Sequence, residues 1–546
     1  MTTRTRPGAE NEAYDVAIIG AGINGAGIAR DAAMRGLRVL LLDKADISSG
    51  TTSWSTRLIH GGLRYLEHRE VGLVRESLRE REKLLSIAPH LVQPLPLVIP
   101  AYRGDKRGPF LIRLGMIAYD LLSFDKSLPG HRMYSRQEAL ELVPGLNPDG
   151  LRGAAVYYDG QVEYAERLTV ENALSARNHG AVVRTYCRVD ELIHEGGCVS
   201  GLRYTDLTDG STHTARARVT VNVAGPWVDE VLAGVDWPGE RMIGGTKGSH
   251  IIVNPFPGAP RDALYVEARE DHRPYFIVPW NNLYLIGTTD TRYEGDLDHV
   301  EADDSEIEYL IGETNRVIPQ ANLAREQVLY TYSGIRPLPY AEDGREGAIS
   351  RRHFIHDHAP RLGGFLSIVG GKLTTYRNLA EQTVDAVYRK LGKRAPASHT
   401  ARLPLPGATR TPALLLGRLR TLGLSDLSAN HLMRVYGSRA LEVLDIAKQD
   451  QELQAVFSPE TGAIGAEVVL ALEREMAQTL SDVLLRRTMV GLGPAVGVNA
   501  DEAAAQLACK HLGWDDERAH REVTQYRQYI ERFHPRTLVG RSAVST

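Results

Sequence analysis

The stretch "YDVAIIGAGINGAGIARDAAMRGLRVLLLDK", residues 14–44, leaves this chain few ways to begin. "DVAIIG" is short and almost wholly apolar, as a parallel strand buried on both faces must be. "INGAGIARDAAMRG" is rich in small residues and suits a helix lying close on a sheet. "RVLLLD" reads as the second buried strand. Between strand and helix, Gly20, Gly22 and Gly25 give G-x-G-x-x-G. The first allows a tight turn, the second lets a pyrophosphate touch the backbone, and the third lets the helix pack against the strand. The helix N-terminus, at Asn24 and its neighbours, offers N–H groups and partial positive charge to phosphates. Asp43 ends the second strand, where an acid can hold a ribose 2′-hydroxyl and disfavours a 2′-phosphate. A Rossmann-type α/β domain binding FAD or NAD is the expectation.

The next segment separates the two cofactors. A simple NAD fold would soon begin another crossover helix. "ADISSGTTSWSTRLIHGG" instead offers Ser48, Ser49, Thr51, Thr52, Ser53, Ser55 and Thr56 before a glycine pair. Such a segment can run along an extended cofactor and present small groups to it, which favours FAD; the plain alternative is a polar surface loop. In "STRLIHGGLRYLEH", Gly61 and Gly62 would each cost a helix roughly 1 kcal/mol relative to alanine, so something must approach the backbone there.

A chain of 546 residues is too long for one ordinary core, so two or three domains are expected. A formal net charge of -4 shows no global basic field for nucleic acid. Cys187, Cys198 and Cys509 form neither a paired framework nor a metal spacing, so no metal is expected. The first fifteen residues lack the apolar core of a signal peptide, and no run of eighteen apolar residues occurs. These features point to a cytoplasmic protein.

Residues 188–225 read as a β-meander entering "VTVNVAGPWV", a strand returning to the main sheet and ending in a turn at Gly225. "RPYFIVPWNNLYLIGTTD" reads as a hairpin about Asn281-Asn282, and "VLYTYSGIRPL" as another strand. "FLSIVGGKLTTYRNLAEQTVDAVYRKL" reads as strand, Gly370-Gly371, then a helix beginning at Lys372, a second place for anion contact. The expected organisation is an FAD-dependent region over 12–400. Its cofactor-binding segments are about 12–90, 150–245 and 350–395, interleaved with antiparallel-sheet substrate segments about 90–150 and 245–350. A proline-rich linker at 401–412 and a helical C-terminal domain over 413–546 follow. "PLPLVIPAYRGDKRGPFLIRLGMIAYDLL" mixes apolar residues with Arg103, Lys106, Arg107 and Arg113. It reads either as an interfacial membrane surface or as a buried helix with a solvated basic loop.

Taken in order, "GAGINGAGIARDAAMRGL", "TRLIHGGLRYLEH", "VNVAGPWV", "KGSHIIV", "IGTTDT", "YSGIRPL" and "GGKLTTYR" resemble the FAD-dependent glycerol-3-phosphate dehydrogenase family, within the D-amino-acid-oxidase-like flavoproteins. The resemblance implies oxidation of sn-glycerol 3-phosphate to dihydroxyacetone phosphate, with a hydride passing to FAD N5. It implies electron delivery to a membrane quinone, or to oxygen in the related oxidases; a flavin enzyme for another small anion is the further alternative. It implies peripheral attachment to the inner face of the cell membrane and is compatible with a homodimer. Around the substrate it places Arg64, Tyr65, His250, Arg336 and Lys372. Arginine's planar fork suits a phosphate dianion. A neutral imidazole suits removal of the C2 hydroxyl proton, so His250 is the candidate base, with His60 and Arg336 as rivals. For the cofactor it adds Thr51, Thr52, Ser55, His60, Gly61, Gly62, Gly225, Gly370, Gly371, Lys372 and Thr374 to the first glycine motif and Asp43. On this reading Gly61 and Gly62 admit the isoalloxazine ring, and Arg64 and Tyr65 reach the substrate.

Overall fold

The computed structural model describes residues 13–538, apart from 68–69, 235–238, 240, 342–351 and 410, and apart from the side chains of residues 64 and 67. The chain forms two compact units. One comprises Met1–Thr52, Thr169–Gly245 and Arg336–Leu403; the other comprises Ser53–Leu168, Thr246–Ile335 and Pro404–Thr546.

The first unit is built on an eight-stranded sheet. Ala13–Ile19 lies at its centre, buried from Tyr14 onward, with Thr212–Asn222 on one side and Val39–Leu42 on the other. Phe365–Val369 and Val182–Arg184 extend the parallel run outward. Runs of Val, Ile and Leu are what a strand covered on both faces requires. The expected meander is present as Cys187–Glu195 and Cys198–Asp206, paired antiparallel to each other and onto Thr212–Asn222. Helix Ile23–Met34 meets helix Tyr376–Lys390 so closely that a Cβ on Gly27 would stand 2.7 Å from the Tyr376 ring. The Tyr388 hydroxyl then donates to Arg35 O at 2.6 Å, and Arg35 pairs with Asp385.

The second unit carries a ten-stranded, largely antiparallel sheet. The hairpin Pro274–Trp280 and Leu283–Gly287 turns on Asn281 and Asn282, whose φ angles are 53° and 61°. Two successive left-handed residues are what a tight hairpin turn demands, and asparagine tolerates them. Thr246–Val253 pairs with Leu283–Gly287, and Val328–Arg336 lies beside it. The C-terminal helices share one apolar core with this sheet: Trp280, Leu283 and Tyr330 belong to the same cluster as Tyr436, Leu470 and Phe533.

The compact units divide the chain differently from the sequence reading. Residues 53–90 and 150–168 fall in the sheet unit, because Leu58–Ile59 pairs with Leu151–Val162 and Val74 and Leu78 sit in its core. Residues from Arg336 to Ala341 fall in the first unit. The C-terminal helices pack into the same compact unit as the antiparallel sheet. The expected linker is docked: Leu405 is buried and its N–H donates to Ile87 O at 2.9 Å, while Ser438 N–H donates to Gly407 O.

Candidate active site

In the first unit the glycine turn does what its sequence demands. Gly20 has φ +110°, and a Cβ there would stand 2.7 Å from Val223 O; one on Gly25 would stand 1.8 Å from Gly20 O. No side chain fits at either position. Gly22 caps helix Ile23–Met34 without a side-chain hydrogen bond. Ile23 N–H donates to Thr52 Oγ1 at 3.1 Å, so the hydroxyl-rich segment reaches the helix start. Asp43 accepts from Ala21 N–H at 2.6 Å and from Ala45 N–H at 2.9 Å. Burial pushes its carboxyl up to about 6 even against these two donors.

The second glycine turn closes on the first. Gly370 and Gly371 have φ +77° and +101°, and a Cβ on Gly371 would meet Asn24 Nδ2 at 2.7 Å. The buried Asn24 Oδ1 has no hydrogen-bond partner among the described residues. A cradle of backbone turns with no room for side chains fits the phosphate portion of a dinucleotide. Gly370 N–H donates to Pro337 O at 3.0 Å, which brings the half-buried corner at Arg336 to the same turn. Lys372 does not begin the helix as its sequence suggested. The helix starts at Tyr376, and Thr375 N–H donates to Lys372 O, so Lys372 sits in the turn with Thr374 buried after it. Two left-handed glycines delay the helix by four residues. Gly225, at φ +61°, opens the short 3-10 turn Gly225–Trp227; Thr51 is half-buried.

In the second unit His250 lies on the wholly buried strand Thr246–Val253. Its Nε2 is 3.0 Å from Thr56 Oγ1, and its ring is 4.8 Å from that of Tyr332. Tyr332 is fixed in turn: its hydroxyl donates to Ser55 O at 2.9 Å, and Trp54 packs on it. Behind lies Arg57, paired twice with Glu166 at 2.7 and 2.8 Å. Burial alone would favour loss of the Arg57 proton, but Glu166 and Tyr332 outweigh it and raise the pKa. Gly287 stands opposite His250, and a Cβ there would meet the imidazole at 2.5 Å. The sequence reading missed Tyr332, Trp54 and the role of Thr56. Alternation along "VLYTYSGIR" was the available signal for Tyr332.

The glycine pair at 61–62 has its crowding explained within the same unit. A Cβ on Gly61 would meet Tyr119 Oη at 2.4 Å and Leu78 at 2.7 Å; one on Gly62, at φ +75°, would meet the Tyr65 ring at 2.0 Å. Gly61 N–H donates to Tyr119 Oη at 2.9 Å, and that hydroxyl donates to Asp159, which Arg81 holds at 2.6 Å. Flavin contact is therefore not needed to explain these glycines. His60 is half-buried, edge-on to Phe276 with ring centroids 6.5 Å apart. Ser55 Oγ accepts from Arg57 N–H. The expected role of Arg64 falls on a side chain outside the described part; its backbone begins the turn of helix Arg64–Glu67.

The first unit carries a dinucleotide cradle on a parallel sheet, as nucleotide-dependent oxidoreductases do, and the second carries a buried histidine on an antiparallel sheet. The family model for FAD dependent oxidoreductases matches residues 15–377, and that for the C-terminal domain of alpha-glycerophosphate oxidase matches 398–519. The chain is 49% identical to a glycerol-3-phosphate dehydrogenase of Synechocystis sp. over 97% of its own length and 98% of that protein's. A D-erythritol 1-phosphate dehydrogenase of Brucella abortus is 39% identical over 88% and 95%. The solved glycerol-3-phosphate dehydrogenase of Bacillus halodurans complexed with FAD superposes with a TM-score of 0.78 at 27% identity, covering 96% of each chain. The chain belongs to the FAD-dependent glycerol-3-phosphate dehydrogenase family.

Proposed function

We propose that this protein oxidises sn-glycerol 3-phosphate to dihydroxyacetone phosphate and passes the electrons to a membrane quinone from the inner face of the cell membrane. FAD, when bound, supplies the acceptor for the hydride leaving C2. Gly20, Gly22, Asn24, Gly25, Gly225, Gly370 and Gly371 would line its phosphates and Asp43 its ribose. Thr51, Thr52, Ser55, His60, Gly61, Gly62, Lys372 and Thr374 would complete its site. The observation that carries the reading is His250, a buried imidazole fixed by Thr56 and Tyr332. It can take the C2 hydroxyl proton as the hydride departs. Arg64, Arg336 and Lys372 would bind the phosphate, with Tyr65 beside them. The Brucella relative supports a second polyol phosphate, D-erythritol 1-phosphate, as the competing substrate.

Anaerobic mixing while the flavin absorbance is followed tests the reading. Glycerol 3-phosphate should bleach the flavin within the mixing experiment; glycine should not. Bleaching by erythritol phosphate alone, or by neither polyol phosphate, would reject the assignment. Aerobic turnover with a soluble quinone but not with oxygen should separate a dehydrogenase from an oxidase.

Two further outcomes are expected. Arg336 is half-buried, so Arg336→Ala should fall near the low end for truncating one partner of a charge pair, about 2 kcal/mol, or roughly thirtyfold in kcat/KM. Most of this should appear in KM, and lysine should restore only part, having lost the fork. An unchanged KM would remove Arg336 from the phosphate site.

FAD affinity should also depend on pH through Asp43. With its carboxyl pushed up to about 6, the empty site takes up a proton below that pH. Ribose hydroxyls donate more strongly into the ionised acid than into the neutral one. Affinity should therefore fall by up to about tenfold per pH unit below 6 and be flat above it. Fluorescence titration of apoprotein between pH 5 and 8 checks this; Asp43→Asn should bind more weakly and without that slope.

A further inference from the structure

We propose that helix Pro109–Leu122, with Phe124 just beyond it, is the surface that docks this protein on an anionic lipid bilayer. Its outer apolar stripe would enter the interfacial layer, and Arg103, Lys106 and Arg113 would meet the headgroup phosphates. The proposal rests on the peripheral-membrane reading above and gives it a location.

The helix has two apolar faces. The inner one, Ile112, Met116 and Tyr119, is buried in the core of the sheet unit. Tyr119 fixes its position there through Asp159 and Gly61 N–H. The outer face repeats Phe110, Leu114, Ile117, Leu121 and Phe124 at intervals of four and three, so these side chains share one side. Phe110, Leu121 and Phe124 are 81%, 70% and 79% exposed, and Leu111 is half exposed. Because the inner face is already fixed, the helix cannot roll to bury this stripe. A contiguous apolar patch of this kind on a folded surface marks a contact.

The surrounding charges select the partner. Of the nearby carboxylates in this unit, Asp120 pairs with Lys126 and His131, Asp125 with Arg75, and Glu267 with Arg107, while Asp105 accepts from Tyr102 N–H and is outnumbered by the three cations around it. Arg103, Lys106 and Arg113 are exposed, and their side chains form no ion pair among the described residues; Lys106 meets Glu267 only through its backbone N–H. The stripe is thus apolar with a net cationic border. Stripe-to-stripe contact between two copies would set these cations against one another. An anionic bilayer accepts the apolar side chains and neutralises the cations together. Among the described residues no helix is long and apolar enough to cross a membrane, so the contact lies in the plane of the surface.

Flotation of the full-length, FAD-loaded protein tests this. The probes are phosphatidylcholine vesicles, alone or with one-third phosphatidylglycerol, at low and high salt. The wild type should float with the anionic vesicles, and high salt should release part of it. Combined Phe110→Ser, Leu121→Ser and Phe124→Ser should weaken partition at least a hundredfold, while flavin content and anaerobic reduction by glycerol 3-phosphate stay unchanged. Lys106→Glu with Arg113→Glu should remove the salt-sensitive part. If the wild type floats and the triple variant floats equally well, the docking helix is wrong and the peripheral reading survives. If the wild type ignores both vesicles at every salt, the peripheral reading fails and takes the proposal with it. If it ignores them and is instead a dimer that the triple variant dissociates, the stripe is an interface between copies and the proposal is overturned.

Discussion

His250→Asn is expected to slow anaerobic flavin reduction by glycerol 3-phosphate about 10²–10⁴-fold, the usual worth of a general base, with substrate dependence largely retained. Asparagine keeps a polar group of similar reach but cannot accept a proton. The position has little freedom to compensate. Thr56 holds Nε2, the Tyr332 ring lies against the imidazole, and the glycine at 287 leaves room for no other side chain opposite. Thr56→Val is the informative partner. It keeps the shape of the wall and removes the hydrogen bond that orients the ring, so it should lower the reduction rate far less and shift its pH profile. Stopped-flow reduction across substrate concentrations separates binding from chemistry. Reduction of the His250→Asn protein at the wild-type rate would move the base elsewhere, with His60 and Arg336 next in line.

Glu475→Ala is expected to be the most destabilising single change outside the site. Glu475 is fully buried between Arg167, bonded at 2.6 and 2.9 Å, and Arg439, and its backbone carbonyl accepts from Arg487 at 2.9 Å. Removing the carboxylate takes from buried Arg167 the carboxylate it bonds twice and leaves Arg439 with Glu442 alone, a change worth about 3–5 kcal/mol. Burial alone would push the Glu475 carboxyl up, but Arg167 and Arg439 outweigh it and hold it down at about 2 against an ordinary 4.5. A depressed carboxyl contributes stability that is complete above its unfolded value. That stability should disappear as pH falls from about 4.5 toward 2, roughly 3 kcal/mol in all. Denaturant midpoints of the FAD-loaded protein should fall steeply over that window in the wild type, and much less steeply in Glu475→Ala. A variant midpoint within experimental error of wild type at neutral pH would show that the ion cluster contributes nothing net.

The local elements are legible in the chain itself. Gly20, Gly22, Gly25 and Asp43 lie within one strand–turn–helix–strand unit, and the turn they make is fixed by sterics between near neighbours. The Asn281-Asn282 hairpin and the Gly370-Gly371 turn are legible for the same reason: their backbone angles are local requirements. The amphipathic character of residues 109–122 is visible too, but periodicity cannot say which of two apolar faces is covered. The fold decides that by placing Tyr119 on Asp159.

What the sequence could not determine depends on contacts between distant segments. His250 was a candidate on its own, but its setting comes from Thr56, 194 residues away, and from Tyr332 on another strand. Gly61 and Gly62 signal a close approach, which the resemblance assigns to the isoalloxazine ring; the crowding by Tyr119, Leu78 and Tyr65 is visible only in the fold. The C-terminal helical domain is legible in the sequence, but an amphipathic helix does not reveal its partner. The apolar faces of these helices are buried with Trp280 and Tyr330 of the sheet, and Arg167 finds its counter-ion in Glu475, 308 residues on. Backbone requirements act over a few residues and are written locally; burial and ion pairing act through space, and only the tertiary structure assigns their partners.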